Sequence, residues 1–123
     1  MGGTVLTGAA APVPAADSVG VVSEGIDWTD HGDGFPYKEL LHDPGTGMRT
    51  QLMKMVPGAC VGPHAHTLLE QVYVLEGEFN DGEHTYRAGD FVVRAPGAMH
   101  SAASRDGALL LVVYTPHPGG DGN

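Results

Sequence analysis

The chain has 123 residues, which is the size of one domain and leaves no room for a second one. Its formal net charge of −9, with the Lys and Arg residues scattered singly, disfavours nucleic acid and anionic membrane surfaces as partners. The single cysteine, Cys60, excludes an intrachain disulfide, and the N-terminus has no basic region typical of a secretion signal, so we expect a cytoplasmic protein.

The predicted elements are short strands. Residues 1–20 are rich in Gly, Ala and Pro without a periodic pattern, and we predict a flexible N-terminal arm there. Residues 21–116 are predicted to form the folded domain, and 117–123 a flexible C-terminal tail. Within the domain, apolar-polar runs alternate with turn signals, and no window shows a convincing helical period. The predicted strands are, in chain order, 35–41, 48–56, 70–75, 83–87, 91–94 and 108–115. This pattern predicts an all-β barrel or sandwich.

Four side chains are candidates for a metal site. His64 and His66 are two residues apart, so on a strand both imidazoles point the same way and can converge on one ion. Glu70 follows after a short segment that can bend, and His100 comes later from what we expect to be a neighbouring strand. The His-x-His pair is a weak signal by itself, because such spacings occur by chance.

Three imidazoles and one carboxylate form a mixed nitrogen and oxygen ligand set. This set suits one divalent ion, and we expect Fe(II), with Zn(II), Mn(II), Ni(II) or Cu(II) as alternatives. An ion with five or six ligands would keep positions open for water, substrate or O₂, which is typical of catalytic sites.

The glycines around these residues match two motifs, and through them the chain resembles the cupin superfamily. The first motif is matched without a gap, and in the second Pro96 is one place late and Ser104 stands where Asn is usual. The matching residues are Gly58, His64, His66, Glu70 and Gly77 in the first motif, and Gly89, Gly97 and His100 in the second. The resemblance extends over roughly residues 48 to 115.

More narrowly, the run LEGEFNDGEHTYRAGDFVVRAPGAMHS is similar to a cupin group with two kinds of member. One is the zinc-binding C-terminal domain of ChrR anti-sigma factors, and the other is the acetylacetone-cleaving dioxygenases. The resemblance implies a jelly-roll cupin barrel, a metal inside its mouth and a homodimer.

Three functions remain open. The first is a non-haem Fe(II) dioxygenase acting on a small enolisable substrate, diketone-like or phenolic, in which Glu70 is either a ligand or a catalytic base. The second is a non-catalytic, zinc-binding sensor or regulatory domain of the ChrR kind. The third is a metal-dependent isomerase, cyclase or lyase acting on a small carbonyl compound. We favour the dioxygenase.

Residues outside the motifs are given structural roles. We expect Cys60 to be a small buried apolar residue, and Met99 to line an apolar pocket beside the metal. Each of Arg49, Arg87 and Arg94 is expected to point outward into solvent, since a buried charge requires a partner.

Overall fold

The computed structural model of the chain describes residues 2–117, and within them the fold is almost entirely β. One 3-10 turn, Ser23–Gly25, is the helical element of this part of the chain. Ten strands are formed: β1 Thr4–Leu6, β2 Val19–Val21, β3 Tyr37–His42, β4 Arg49–Met55, β5 Cys60–His64, β6 Leu69–Asn80, β7 Thr85–Arg87, β8 Phe91–Arg94, β9 His100–Ala103 and β10 Ala108–Thr115. No helix in residues 2–117 is long and apolar enough to cross a membrane.

The eight strands β3 to β10 form one curled antiparallel sheet. The strands follow the order β3-β4-β10-β6-β9-β5, and β7 and β8 pair with β6 as well. The 12-residue strand β6 is the hub, because its first part pairs with β10 and β8 and its last part with β7 and β9. This change of partners within one strand curls the sheet around its inner face.

The core lies on that inner face. Strand β10 reads ALLLVVYT, and its alternate residues Leu110 and Val112 are buried against Val72 and Val74 of β6. Met55, Ala59 and Phe79 complete the buried cluster. Successive strand side chains point to opposite faces, so the same pattern sends Leu109, Leu111 and Val113 outward.

The first 20 residues, predicted to be a flexible arm, include ordered backbone contacts. Strands β1 and β2 form a separate parallel pair, which the sequence pattern did not predict. Ala11 is buried, its N–H donates to the carbonyl of Leu40, and its own carbonyl accepts from the N–H of His42. The mobility of the arm stays a prediction. Of the predicted tail, 118–123 lie outside the described residues.

The predicted all-β fold class is confirmed, and the strands predicted after position 34 correspond to β3, β4, β6, β7, β8 and β10. Strand β6 is longer than predicted because it continues through Gly77 to Asn80, where we had expected it to stop at Leu75. A hairpin turn at 80–82 joins β6 to β7, and in it the Asp81 N–H donates to the carbonyl of His84.

Candidate metal centre

Two of the predicted ligands face each other across a strand pair. His64 ends β5 and His100 begins β9, and the two residues are direct partners in the antiparallel register. Their ring centroids are 4.3 Å apart. The pairing of these strands therefore brings together two imidazoles that are separated by 35 residues of sequence.

His66 joins them from the loop after β5. Its carbonyl accepts a hydrogen bond of 2.7 Å from the N–H of Gly97, a glycine of the second motif. Gly97 has a φ of +84°, a conformation that L side chains adopt rarely, which explains why this position of the motif requires glycine. The His66 ring lies 5.2 Å from that of His64 and 5.6 Å from that of His100, measured between centroids.

The three imidazoles form a cluster with the properties of a metal site. One ligating nitrogen from each of His64, His66 and His100 lies within 4.8 Å of the others. The Nδ1 of His64 lies 2.9 Å from the carbonyl oxygen of Gly62, so with its proton on Nδ1 the ring presents the Nε2 lone pair to an ion. Burial lowers the pKa of His66 and of His100, although the charge of Glu70 acts in the opposite direction. Neutral imidazole is the form that binds metals.

Glu70 lies beside this cluster on β6, and it is buried. One carboxylate oxygen, Oε2, is 3.5 Å from His66 Nε2, and the other, Oε1, is 3.7 Å from His100 Nε2. Two atoms bound to one ion at about 2.1 Å are roughly 3.0 to 4.2 Å apart, so both distances fit a shared ion. Oε1 is also buried without a hydrogen bond from any described residue, as expected of an oxygen that faces a ligand site. The role of Glu70 as the fourth ligand nevertheless stays a prediction.

The expectation that Arg94 points into solvent is wrong. Its side chain is 11% exposed and lies inside the barrel, with Nε 3.4 Å from Glu70 Oε1. The Nη1 atom donates a 3.0 Å hydrogen bond to Oδ2 of Asp81, which is itself buried at the β6–β7 turn. The sequence did not predict this orientation because the run Phe91-Val92-Val93 places apolar residues on both faces of β8. The pattern therefore does not indicate which face points into the barrel. The usable signal was that Arg94 shares its face with Val92.

Tyr114 completes the polar end of the site. It is opposite Glu70 in the β6–β10 register, and its ring lies 5.0 Å from that of His66 between centroids. Burial raises the pKa of Tyr114, and so do the nearby charge of Glu70 and a hydrogen-bonding interaction with that carboxylate. The phenol is therefore neutral at physiological pH.

A cavity of about 210 Å³ leads from the cluster into the barrel. Its polar end is formed by the three histidines, Glu70, Arg94 and Tyr114. The remaining wall is mainly apolar, and its residues include Met55, Val72, Phe79, Leu110 and Val112. A mainly apolar cavity with a few convergent polar groups is typical of small-molecule sites, and this one is below the size of drug-like pockets.

Two further expectations are wrong. Cys60 is exposed, because it begins β5 with its side chain on the outer side of the barrel. Met99 is 66% exposed and does not contribute to the cavity, whereas Met53 and Met55 do. Met99 precedes His100 in sequence, but successive residues of an extended chain point to opposite faces, so the Met99 side chain points away from the histidines.

Comparisons with known proteins agree with this architecture. The family described as the ChrR Cupin-like domain matches residues 16–118. The anti-sigma-E factor ChrR of Cereibacter sphaeroides is 30% identical over 97 residues, which is 79% of this chain and 45% of that protein. The chain thus spans less than half the length of this curated relative.

Solved structures give the same result. KdgF from a Halomonas species is 27% identical, with a TM-score of 0.66 over 78% of this chain and 93% of that one. An acetylacetone dioxygenase from Acinetobacter johnsonii is 14% identical, with a TM-score of 0.68 over 83% of this chain and 75% of that one, and shares the fold. The cupin fold is confirmed, and the chain belongs to the ChrR cupin-like domain family.

Proposed function

We propose that the chain is a mononuclear non-haem Fe(II) dioxygenase whose ion is held by His64, His66, Glu70 and His100. The substrate would be a small enolisable carbonyl compound, diketone-like or phenolic. The observation that supports this proposal is the apolar cavity that opens directly onto the three histidines. A purely structural metal site requires no such space, because its ligand shell is closed.

The chemistry divides between the ion and the chain. When bound, the ion would act as a Lewis acid with open positions for the oxygen atoms of substrate and for O₂. Glu70 is within reach of the same centre, and on leaving the ion its carboxylate would accept the proton of the acidic C–H or O–H group. Tyr114 would orient the Glu70 carboxylate, and the apolar wall would exclude water from the reacting carbon.

The test begins with metal analysis of protein purified without added metal. Oxygen uptake is then measured with small 1,3-dicarbonyl and phenolic ketone substrates. We expect about one iron per chain and O₂ consumption that depends on substrate. Glu70→Gln, which keeps the size of the side chain, should lose most of the turnover. Tightly bound zinc with no turnover on any of these compounds would contradict the proposal.

A second candidate is a non-catalytic zinc domain, and family membership favours it. The relative from C. sphaeroides is an anti-sigma factor by name, and this chain corresponds to less than half of it. In that case the partner would be a protein and the cavity would remain without a substrate. A metal-dependent isomerase or cyclase would convert a carbonyl substrate without consuming O₂. Product analysis of the same reaction mixtures therefore separates it from both the dioxygenase and the non-catalytic domain.

We also propose a cytoplasmic homodimer. Four large apolar side chains are exposed on the outer face of β6 and β8: Tyr73, Leu75, Phe91 and Val93. Tyr73 and Phe91 are direct cross-strand partners, so the patch is continuous. A second copy of the chain would cover it, because contiguous exposed apolar surface marks interaction sites. The exposed free thiol of Cys60 is compatible with a reducing compartment.

A further inference from the structure

We propose that the cavity selects a small monoanion, such as a carboxylate or enolate with a short apolar remainder, and that Arg94 determines this selectivity. The inference rests on the metal centre of the proposed function, but it does not depend on O₂ chemistry. It concerns what the site binds, and it therefore applies equally to an isomerase.

Arg94 is placed to contact a ligand. Its guanidinium lies on the cavity wall, and its Nε–H is buried without a hydrogen bond to any described residue, although Glu70 Oε1 is 3.4 Å away. Asp81 holds the other side of the guanidinium through Nη1, which fixes the plane of the group. A fixed guanidinium beside a cavity is suited to recognition of a planar anionic group.

The buried charges determine which ligand charge fits. Arg94 and Asp81 cancel each other, and Glu70 adds one negative charge. Histidines that ligate a metal are neutral, and Tyr114 is neutral, so a divalent ion leaves the site with one positive charge. Asp33 also borders the cavity but is exposed, so solvent screens its charge. Because a buried net charge is costly, a monoanion is the ligand that neutralises the site.

The apolar wall determines the rest of the ligand. Beyond the polar end, the cavity of about 210 Å³ has no buried cation besides Arg94 among its lining residues. A second anionic group on the ligand would therefore be desolvated without a partner, whereas a short alkyl group would contact Met55, Leu110 and Val112.

The test is a binding experiment with cobalt(II)-loaded protein. Butanoate, butanamide and succinate are titrated, and binding is followed by the visible absorption of cobalt and by calorimetry. Butanoate should bind roughly tenfold or more tightly than either of the others. Arg94→Gln should remove this preference and weaken butanoate by a similar factor, with cobalt content unchanged. Arg94→Lys should restore part of the affinity, and Arg87→Gln, at an exposed arginine of β7, is the matched control.

Asp81→Asn provides an independent measurement, which is needed if Arg94→Gln does not fold. This variant replaces no cavity-lining side chain, although it weakens the contact that fixes Arg94. It raises the site charge by one, so the preference should move from butanoate towards succinate. If the wild type binds butanoate and succinate alike, or if Arg94→Gln and Asp81→Asn both retain the wild-type preference, the inference is overturned while the metal centre stands. Protein that binds no cobalt overturns the inference together with the proposed function. Absence of O₂ uptake alone contradicts only the dioxygenase.

Discussion

Asp81 controls the charge balance of the site although it belongs to a hairpin turn. Its Oδ1 accepts hydrogen bonds from the N–H groups of Glu83 and His84, and its Oδ2 accepts from Arg94. Burial by itself would raise the pKa of Asp81, but these donors outweigh it and lower the pKa to about 2. The carboxylate therefore remains charged throughout the physiological range and compensates the buried guanidinium.

This lowered pKa predicts a pH-dependent contribution to stability. A carboxylate with a pKa near 2 when folded and 3.8 when unfolded stabilises the fold at pH values above 3.8. The contribution is roughly 2 kcal/mol, and it is lost as the pH falls through the folded pKa. Asp81→Asn should lower the free energy of unfolding by at least this amount at pH 7 and progressively less towards pH 2, in urea titrations. A loss that is independent of pH would contradict the assignment.

Removal of single imidazoles tests the metal centre. His64→Ala and His100→Ala should each release the metal and lower the thermal unfolding temperature of the metal-loaded protein, because bound metal stabilises only the folded state. His84→Ala, at an exposed histidine outside the cluster, serves as the control. Metal content is measured by elemental analysis after dialysis. Full metal retention in both variants would remove these residues from the ligand set.

At this scale the sequence predicted that three imidazoles come together, which the structure shows, but it predicted their surroundings poorly. His64, His66 and His100 were singled out because the residue types and spacing suit metal ligation and the motif glycines support the same positions; their role as ligands stays a prediction. The inward position of Arg94 was not predicted because an ion pair requires its partners to be close in space but sets no spacing between them in sequence. The β6–β8 register pairs Arg94 with Glu70, whereas Asp81 lies in the turn after β6 and is 13 residues from Arg94 in sequence. Asp81 and Arg94 therefore meet only in the folded, curled sheet, which no local pattern encodes.

At the scale of the element, β6 connects the two parts of the sheet through a bulge. Leu109 pairs with Glu76 and Leu110 with Val74, so Leu75 is an extra residue on β6. Gly77 follows with a φ of +75°. The bulge redirects the strand from its first set of partners to its second, as bulges commonly do. Prediction had ended the strand before Glu76-Gly77 because glycine is usually a turn signal, but Gly77 pairs with Ala108 just after the bulge and the strand continues.

Substitution of this glycine should be more costly than its φ value alone implies. A Cβ at Gly77 would overlap the backbone of Gly107, whereas a Cβ at Gly89, where φ is +92°, would meet nothing within 4 Å. Gly77→Ala should therefore reduce the free energy of unfolding by roughly 2 to 4 kcal/mol, and Gly89→Ala by roughly 1 to 2 kcal/mol. Chemical denaturation measures both. Equal losses would show that the close approach to Gly107 is unimportant.

Strand prediction succeeded where turns enclosed a periodic or apolar run, and it missed β1, β2, β5 and β9. The residues of β10 from Ala108 to Tyr114 are apolar, and their length and β-branched content identified the strand. Strand β9, HSAA, has neither alternation nor β-branched residues, and it is held by its pairing with β5. Its position follows from tertiary contacts, which override weak local preference.

At the scale of the whole molecule, the exposed apolar patch on the outer face of β6 and β8 is the surface through which we expect the chain to dimerise. If a second copy covers Phe91 and its neighbours, the particle in solution should have about twice the chain mass of 12.8 kDa. Phe91→Glu should halve that mass in light scattering, because a buried charge without a partner opposes association. Val13→Glu, at an exposed valine remote in sequence from the sheet, is the control. A wild type that is monomeric at high concentration would contradict the dimer.

The hairpin after β6 has one more consequence. Surface turns usually accept added or deleted residues freely. In this turn, however, the Asp81 side chain holds the buried guanidinium of Arg94, and the Asp81 carbonyl accepts a hydrogen bond from the N–H of Ser101 in β9. Tolerance to indels follows from the contacts of the affected backbone, not from its place at a loop tip. In a scan of single-residue insertions along the chain, the tip at 81–82 should therefore be as intolerant as the core.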